Sequence, residues 1–357
     1  MNLKQVIEGK TKLFVPELHD DVPEHGEVFY NPKMSFDRTL SLKIVQDFFK
    51  EKKAEKIKLL DLFSGLGARA VRYANELDMD LDVYANDIQP TAVKLVEKNA
   101  ALNNVKVKAS CMEANEFLVT QRKENFDCID IDPFGSPAKF LFNALLAVKP
   151  RDSLLCVTAT DIGSLAGAYP KAGWRKYGAW VVKTSFMHEA GVRALLGFVA
   201  KEAAKLNYAI KPYFSYHKLH YYRVFVEVFS GRKTVNRETK KIGYYEYCPK
   251  CERRKPVTLS ETFSVKCECG GEFIQIGPLW LGELGVKDYF FTGENEILIP
   301  YYDLVALGKI FKTQKKKKKV IEELTKKGYK TTETHFSPTG IKTNAPYEEI
   351  IKIFKGA

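Results

Sequence analysis

Short apolar segments and amphipathic helical segments alternate regularly through the middle of this chain. Five of the apolar segments are predicted strands, at residues 57–63, 81–85, 105–109, 126–131 and 153–158. Helices are predicted between them, around residues 68–77, 90–102, 114–121 and 136–148. This alternation predicts a parallel sheet, because parallel neighbours are joined through right-handed crossovers that are usually helices. A helix at residues 184–206 and strands at 209–216 and 221–229 would complete a seven-stranded sheet.

The fourth predicted strand ends in the main candidate for chemistry. Residues 129–135 read IDIDPFG, so Asp132 would stand at the carboxyl end of a buried strand, where open α/β sheets bind their ligands. A carboxylate there can accept a hydrogen from an exocyclic amine, the Pro133 carbonyl can help to orient that amine, and Phe134 offers a flat face for stacking a base. For this motif on its own, an ordinary proline turn after a strand is the alternative.

The ends of the first three strands carry residues suited to a nucleoside. The first strand runs into a turn that contains Gly65 and Gly67, which lets a ligand approach the backbone closely. Asp87 follows about twenty residues later at the end of the second strand, where a carboxylate can bind both hydroxyls of a ribose. Glu113 and Ala114 occupy the same place after the third strand, where an adenine would lie. Helix packing would explain the glycine turn alone, but the three strand ends together indicate a nucleoside site.

The sequence of this turn helps to distinguish between two kinds of nucleoside cofactor. A dinucleotide dehydrogenase normally needs the third glycine of GxGxxG, which is Ala70 here, and a pyrophosphate site. An S-adenosylmethionine enzyme needs neither. The motif at Asp132 also falls where amino-methyltransferases carry their substrate motif. The residues therefore predict an α/β fold, a Rossmann-like class I methyltransferase domain.

The charge balance indicates a polyanionic partner. Over 357 residues, 56 Lys and Arg against 44 Asp and Glu give a formal net charge of +12, which favours a nucleic acid over a small anion. We find no segment typical of a signal peptide and no run near the roughly 18 apolar residues of a membrane span. We therefore expect a cytoplasmic protein with no membrane partner.

Four cysteines in the second half of the chain have the spacing of a metal site. Cys248 and Cys251 form a CxxC pair, and Cys267 and Cys269 form a CxC pair. Two such pairs in an intracellular chain are typical of a tetrahedral Cys₄ zinc site, and four protein ligands would make the Zn²⁺ structural. A redox dithiol and unbound reactive cysteines are the alternatives.

Matches spread over nearly the whole chain resemble one family. They are EGK at residues 8–10, VFYNP at 28–32, DPFG at 132–135, RKYG at 175–178, HEAGVR at 188–193 and THFSPTGIKT at 334–343. In these segments the chain closely resembles the tRNA (guanine-N2)-dimethyltransferases that modify position 26. The family usually has Asn-Arg-Asp after FYNP, whereas this chain has Asp37, Arg38 and Thr39. The resemblance implies that S-adenosylmethionine contacts Arg38, Arg69, Asp87, Glu113 and Ala114.

The resemblance also implies the reaction, which is methyl transfer to the exocyclic N2 of guanine 26 in tRNA, giving N2-methyl- and N2,N2-dimethylguanosine. Asp132 and Phe134 would hold the guanine, which must flip out of the folded tRNA. Phe29 would cover its other face, although core packing is an equal alternative for that residue. We expect a monomer that needs no protein partner.

Two other functions are compatible with parts of the pattern. An N6-adenine or N4-cytosine amino-methyltransferase acting on rRNA or DNA would use the same acid-proline-aromatic motif, because the motif serves any planar amine. The second is a non-catalytic RNA-binding module with a degenerate Rossmann-like core. The presence of Gly65, Asp87 and Asp132 argues against it.

The alternation stops after residue 229, and a polar, basic connector at 231–238 predicts a domain boundary. We expect three parts. Residues 1–50 would contribute to the cofactor and substrate site, residues 51–230 would form the S-adenosylmethionine-dependent methyltransferase domain, and residues 231–357 would form a smaller α+β domain that contains the zinc site and binds tRNA.

Two further features suit an RNA partner. In a predicted loop after the fifth strand, three aromatic residues stand among cations; they are Trp174, Tyr177 and Trp180, with Lys171, Arg175 and Lys176. That mixture suits an RNA backbone and an unstacked base, and ordinary packing is the equal alternative. The lysine run at residues 315–319 is either a solvated surface or a phosphate contact.

Overall fold

The computed structural model describes residues 2–17, 28 and 30–356. Contacts within the chain divide it into two compact units. Unit 1 consists of Met1–Pro133, Lys139–Val157 and Glu227–Phe229. Unit 2 consists of Phe134–Ala138, Thr158–Val226 and Ser230–Ala357. The three-part organisation expected from the sequence, with limits at residues 50 and 230, stays a prediction.

Unit 1 begins with a hairpin and a long helix. The antiparallel strands β1 (Leu3–Glu8) and β2 (Thr11–Pro16) are joined through Gly9, whose φ of +62° suits a glycine. A 3₁₀ turn at Pro32–Met34 leads into helix α1 (Ser35–Glu51). The large apolar residues on one face of this helix are buried, and they are Leu40, Ile44, Val45, Phe48 and Phe49.

A seven-stranded sheet follows, as predicted. Its strands are β3 (Lys56–Asp61), β4 (Asp80–Asp87), β5 (Val107–Cys111), β6 (Cys128–Ile131), β7 (Ser153–Ala159), β8 (Tyr208–Lys218) and β9 (Tyr221–Ser230). They lie in the order β5-β4-β3-β6-β7-β9-β8, and the neighbouring strands from β5 to β7 are parallel. Every residue of β6 and β7 is buried, which explains their continuous apolar sequence.

The strand order alone indicates where a ligand would bind. From β3 the chain moves outward to β4 and β5, then returns to β6 on the other side of β3 and continues to β7. The carboxyl ends of β3 and β6 therefore flank a topological switch point, the position where open α/β sheets bind ligands. The turn with Gly65 follows β3, and Asp132 follows β6.

Helices connect the strands. Those within the parallel part are α2 (Ala68–Glu76), α3 (Pro90–Leu102), α4 (Ala114–Thr120) and α5 (Ala138–Ala147), with a 3₁₀ turn at Arg122–Glu124. After β7 come α6 (Ile162–Leu165), α7 (Pro170–Tyr177) and α8 (Met187–Lys205). The loop expected here is thus partly helical. Pro170 opens α7 and Gly178, with φ +57°, ends it, which is the pairing of residues that helix termini favour.

The rest of unit 2 is α+β, as predicted. Its elements are α9 (Arg232–Glu238), a 3₁₀ turn at Thr239–Lys241, β10 (Ile242–Tyr247), β11 (Arg254–Thr258), β12 (Ile274–Trp280), β13 (Tyr302–Asp303), α10 (Leu304–Phe311), α11 (Lys317–Lys326), β14 (Thr331–Glu333), β15 (Gly340–Thr343) and α12 (Tyr347–Lys355). The strands form two three-stranded sheets, β11-β10-β12 and β13-β15-β14. The connector expected at residues 231–238 is helical. In the part of the chain that the structure describes, no helix has the length and apolar character to cross a membrane.

A buried charge network holds unit 2 together. Glu189 of α8 accepts hydrogen bonds from Arg193 at 2.8 Å, from Lys342 Nζ at 2.9 Å and from the Tyr301 backbone N–H at 2.9 Å. Burial raises the pKa of Glu189, but Lys342 and Arg193 outweigh it and the pKa is lowered. Arg193 also donates to three backbone carbonyls, those of Trp280, Gly282 and Leu298. One carboxylate thus fixes α8 to segments distant in sequence.

Replacing this carboxylate should destabilise the protein strongly. Glu189→Gln would leave Arg193 and Lys342 buried beside a neutral amide, so we expect the free energy of unfolding to fall by about 3–5 kcal/mol. The matched control is Glu202→Gln on the same helix, where the pair with Lys205 is 61% exposed at the lysine and is worth about 1 kcal/mol or less. Chemical unfolding followed by circular dichroism measures both. Equal effects of the two substitutions would contradict the role given to Glu189.

Candidate active site and metal centre

The glycine turn and Asp87 lie together in unit 1, as the sequence predicted. The backbone N–H of Gly65 donates to Asp87 Oδ2 at 2.9 Å, and Asp87 Oδ1 accepts from the Gln89 N–H at 2.9 Å. Gly65 and Gly67 have φ of +52° and +81°. A Cβ on Gly67 would approach Val96 to 3.1 Å, so this position needs glycine for its conformation and for its close contact with α3.

Sequence reasoning missed Asn86, which joins three strand ends. Its buried amide nitrogen donates to the carbonyl of Met112 at 3.0 Å and to that of Leu62 at 3.4 Å, and its Oδ1 accepts from the Ser110 hydroxyl at 2.9 Å. These contacts link the ends of β3, β4 and β5. A polar residue between apolar Ala85 and the predicted ligand Asp87 is the only signal that the sequence offered.

Glu113 and Ala114 lie where the sequence placed them, at the start of α4. One carboxylate oxygen of Glu113, Oε2, caps the helix by accepting from the backbone N–H groups of Asn115 at 2.8 Å and Glu116 at 3.1 Å. Ala114 is the first residue of the helix and is 6% exposed. The cap fixes the backbone of these two residues at the carboxyl edge of the sheet.

Arg38 lies in a buried network. Its guanidinium binds both carboxylate oxygens of Glu8, at 2.6 Å and 2.5 Å, and the Asn31 carbonyl at 3.1 Å. Glu8 also accepts from Arg72 at 2.8 Å and from the Tyr30 hydroxyl at 3.1 Å. Burial raises the pKa of Glu8, but the two arginines outweigh it and the pKa is lowered. Arg38 therefore fixes the first hairpin to α1, and its contact with a cofactor stays a prediction.

Arg69 and Asp132, predicted for cofactor and substrate respectively, bind each other. Arg69 Nη2 lies 2.5 Å from Asp132 Oδ2 and 2.8 Å from Asp37 Oδ2, and its Nε lies 3.5 Å from Asp130 Oδ2. Its Nη1 donates to the Ser41 hydroxyl at 3.0 Å. Burial opposes the charge on Arg69, but the three carboxylates raise the pKa of its guanidinium well above the ordinary value. Sequence reasoning gave no role to Asp37 or Ser41.

Phe134 and the turn after it belong to unit 2. The side chain of Phe134 is 72% exposed. Gly135, at φ +76°, donates its N–H to Thr160 Oγ1 at 2.7 Å and accepts from the Thr160 N–H at 2.9 Å. Two hydrogen bonds to Thr160 thus fix the turn that presents Phe134. Phe29, the other predicted aromatic contact, lies outside the described residues.

Of the aromatic residues predicted to contact RNA, one is buried. Tyr177 is 0% exposed, and its hydroxyl donates to Asp161 Oδ1 at 2.5 Å. Asp161 Oδ2 also accepts from Lys176 at 2.9 Å. Trp174 and Trp180 are 55% and 41% exposed. The packing alternative therefore holds for Tyr177, while the two tryptophans stay at the surface.

The four cysteines converge. Their sulfur atoms all lie within 4.8 Å of one another, with 3.5 Å between Cys248 and Cys269 and 3.7 Å between Cys251 and Cys267. A tetrahedral zinc site with Zn–S bonds of about 2.3 Å has sulfur atoms roughly 3.8 Å apart. The donor set and its spacing therefore fit Zn²⁺.

The surroundings of the cysteines fit a structural site. A Cβ on Gly271 would lie 2.9 Å from the Cys248 sulfur, so a glycine leaves room for that ligand. The Tyr347 hydroxyl at the start of α12 donates to the carbonyl of Cys251. Three of the four cysteines also belong to a buried apolar cluster with Leu307, Leu324 and Ile350, which lie on α10, α11 and α12. An ion here would join the cysteine turns to the last three helices.

Comparisons with known proteins agree with the resemblance seen in the sequence. The family model for N2,N2-dimethylguanosine tRNA methyltransferase matches residues 9–297 and 289–355. A tRNA (guanine(26)-N(2))-dimethyltransferase of Methanobrevibacter smithii is 39% identical over 382 residues, which cover 99% of this chain and 97% of the relative. A tRNA (guanine(26)-N(2)/guanine(27)-N(2))-dimethyltransferase of Aquifex aeolicus is 32% identical over 372 residues, with 97% and 94% covered.

A solved structure extends the agreement to the fold. Trm1 from Pyrococcus horikoshii, in complex with S-adenosyl-L-methionine, has a TM-score of 0.84 and 31% sequence identity to this chain. The match covers 98% of this chain and 99% of that one. The family model, the relatives and the structure cover nearly the same residues, and the chain therefore belongs to the N2,N2-dimethylguanosine tRNA methyltransferase family.

Proposed function

We propose that this protein transfers methyl groups from S-adenosyl-L-methionine to the exocyclic N2 of guanine 26 in tRNA. The observation that carries the proposal is the site at the switch point of the sheet. Asp132 at the end of β6 and the turn of Gly65 after β3 flank one crevice position. Relatives named as tRNA guanine-N2 dimethyltransferases match along almost the whole chain, which favours this function over an adenine or cytosine methyltransferase acting on rRNA or DNA.

The residues of unit 1 fit S-adenosylmethionine. The turn of Gly65 lets a ligand approach the backbone, and Asp87, held by the Gly65 and Gln89 N–H groups, offers carboxylate oxygens for ribose hydroxyls. Ala114, at the capped start of α4, would lie against the adenine. Arg38, Arg69 and Glu113 complete the proposed set of cofactor contacts. When bound, the cofactor supplies an electrophilic methyl group.

Asp132 would prepare the substrate amine. Guanine N2 is a weak nucleophile, because its lone pair is delocalised into the ring. With Oδ2 of Asp132 held by Arg69 at 2.5 Å, we propose that Oδ1 accepts an N2–H and turns the lone pair toward the methyl group. The Pro133 carbonyl would accept the second hydrogen. Asp132 would also stabilise the positive charge that develops on N2 as the N–CH₃ bond forms and the bond between that methyl group and the cofactor's sulfur breaks, and it would accept the proton that N2 then loses.

Phe134 would stack on the guanine after the base has left the tRNA helix. Its exposure and the fixed turn at Gly135 suit that role. Phe29 on the opposite face stays a prediction.

The name of the Aquifex relative includes guanine 27 as well as guanine 26. Methylation assays on tRNAs with guanine at position 26, at position 27 or at both would therefore show which guanine this protein methylates.

We also propose that the protein works on tRNA as a monomer, without a protein partner, in the cytoplasm. Light scattering of the protein with and without tRNA measures the stoichiometry of the complex.

Loss of the Asp132 charge should block chemistry without removing the cofactor site. Asp132→Asn keeps the shape of the side chain, but an amide stabilises a developing positive charge poorly. We expect single-turnover methylation of tRNA to fall by on the order of 10²- to 10⁴-fold, with unchanged affinity for S-adenosylmethionine by calorimetry. The control Asp82→Asn, near the amino end of β4, should behave as wild type. A near wild-type rate for Asp132→Asn would move the role to the neighbouring Asp130.

Loss of the Asp87 charge should act on cofactor binding first. Asp87→Asn weakens the acceptor for the ribose hydroxyls and the contact with the Gly65 N–H. A hydrogen bond to a charged group contributes about 1.5–3 kcal/mol, so the dissociation constant for S-adenosylmethionine should rise roughly 10- to 100-fold. Saturating cofactor should restore part of the methylation rate. A variant with unchanged cofactor affinity would refute the ribose assignment.

We propose that Cys248, Cys251, Cys267 and Cys269 bind one structural Zn²⁺. Metal analysis of the purified protein should give about one zinc per chain. Cys248→Ser should lower the melting temperature, because the ion joins α10, α11 and α12 to the cysteine turns. The control Cys111→Ser removes an exposed cysteine of β5 and should keep both the zinc and the melting temperature. Stoichiometric zinc in the double variant Cys248→Ser, Cys267→Ser would rule the site out.

A further inference from the structure

The segment around α7 carries several exposed aromatic and basic side chains. Tyr169 and Trp174 are 67% and 55% exposed, and Lys171 and Arg175 are also exposed. Lys171, Trp174 and Arg175 are separated by three and four residues on a helix, so they share a face. We call these four residues the aromatic-basic surface. Large exposed aromatic rings beside cations are typical of sites for unstacked nucleotides.

The segment that carries this surface is rich in cations. Residues 162–188 contain four cations and not one Asp or Glu; the cations are Lys171, Arg175, Lys176 and Lys183. Lys176 pairs with Asp161 at 2.9 Å, and this pair fixes the end of α7. Lys171 and Arg175 face solvent on the same helix as Trp174. The potential there suits a polyanion.

Hydrogen bonds connect this surface to the turn that presents Phe134. Gly135 binds Thr160 through two hydrogen bonds, and the next residue, Asp161, accepts from the Tyr177 hydroxyl at 2.5 Å. Tyr177 is the last residue of α7 and is fully buried. Gly173 adds to the rigidity, because a Cβ there would lie 2.5 Å from the carbonyl of Ser164 on α6. The surface is thus a packed platform within unit 2.

We propose that the aromatic-basic surface binds the tRNA nucleotides beside the flipped guanine. Flipping breaks the stacking of the neighbouring bases, and Trp174 and Tyr169 replace part of that stacking. Lys171 and Arg175 bind the phosphates of the same nucleotides. This inference rests on the proposed methylation of a flipped tRNA guanine. It adds a contact that is independent of sequence, since every base has a π face and every nucleotide has a phosphate.

The test compares variants of the full-length protein in binding to unmodified tRNA. Trp174→Ala should raise the dissociation constant on the order of tenfold or more, and Trp174→Phe should recover most of that loss, because a ring remains. The double variant Lys171→Gln, Arg175→Gln should reduce the slope of log affinity against log salt by roughly 0.7–0.9 for each lost contact. The control pair Lys56→Gln, Lys106→Gln removes equal charge at the amino ends of β3 and β5 and should alter neither quantity strongly.

A second readout reports on the flipped base. A tRNA with 2-aminopurine at position 26 fluoresces more when that base leaves its stack, and Trp174→Ala should reduce the increase seen on binding. Affinity for S-adenosylmethionine should be the same in all variants, which shows that each one is folded.

Two results separate this inference from the proposed function. If wild-type protein methylates tRNA and both Trp174→Ala and the double lysine-arginine variant bind tRNA with wild-type affinity and salt slope, the surface does not bind RNA. A protein partner would then be its alternative occupant. If wild-type protein binds tRNA through this surface but methylates no tRNA, the proposed function fails and the surface assignment stands.

Discussion

The proposed substrate site at the end of β6 depends on one buried cation. Arg69 of α2 binds Asp37 of α1 and reaches Asp130 and Asp132 at the end of β6. A guanidinium in this position is stable only because several carboxylates compensate its charge and its planar group bonds to more than one of them. The geometry of Asp132 is therefore set by two helices as well as by its own strand. The ion pair with Arg69 thus fixes the orientation of the Asp132 carboxylate before any ligand binds there.

Unit 2 contains the reverse of the Arg69 network, because there one buried carboxylate is shared between two cations. Glu189 binds Arg193 and Lys342, and burial lowers the pKa of Lys342 although Glu189 opposes that shift. The network connects α8 with β15 and with the backbone at Tyr301. The cysteine cluster, with α10, α11 and α12 packed on it, provides a second set of long-range connections. These connections thus join segments of unit 2 that are far apart in sequence, including the short strand β15 that carries Lys342.

Much of this fold could be predicted, because local patterns determine it. Periodic apolar segments gave the seven strands, glycines and Asp87 marked two strand ends, and cysteine spacing indicated the metal site. What the sequence did not show depends on partners far apart in the chain. Arg69 and Asp132 are 63 positions apart, and no spacing rule indicates that they form an ion pair. The sequence left Tyr177 open between RNA contact and packing for the same reason, since only the folded chain shows that its buried hydroxyl donates to Asp161.

Because Arg69 pairs with several acids, the chemical role proposed for Asp132 can be tested separately from its structural role. With Asp132 neutral, Arg69 still has Asp37 at 2.8 Å and Asp130 at 3.5 Å, so its charge stays compensated. Asp132 is also the more accessible member, at 21% side-chain exposure against 0% for Asp37 and Asp130. Removing Arg69 instead would deprive all three carboxylates of their shared cation, and two of those are fully buried. We therefore propose that the more accessible acid, Asp132, serves the substrate, while the two buried acids hold the arginine that positions it.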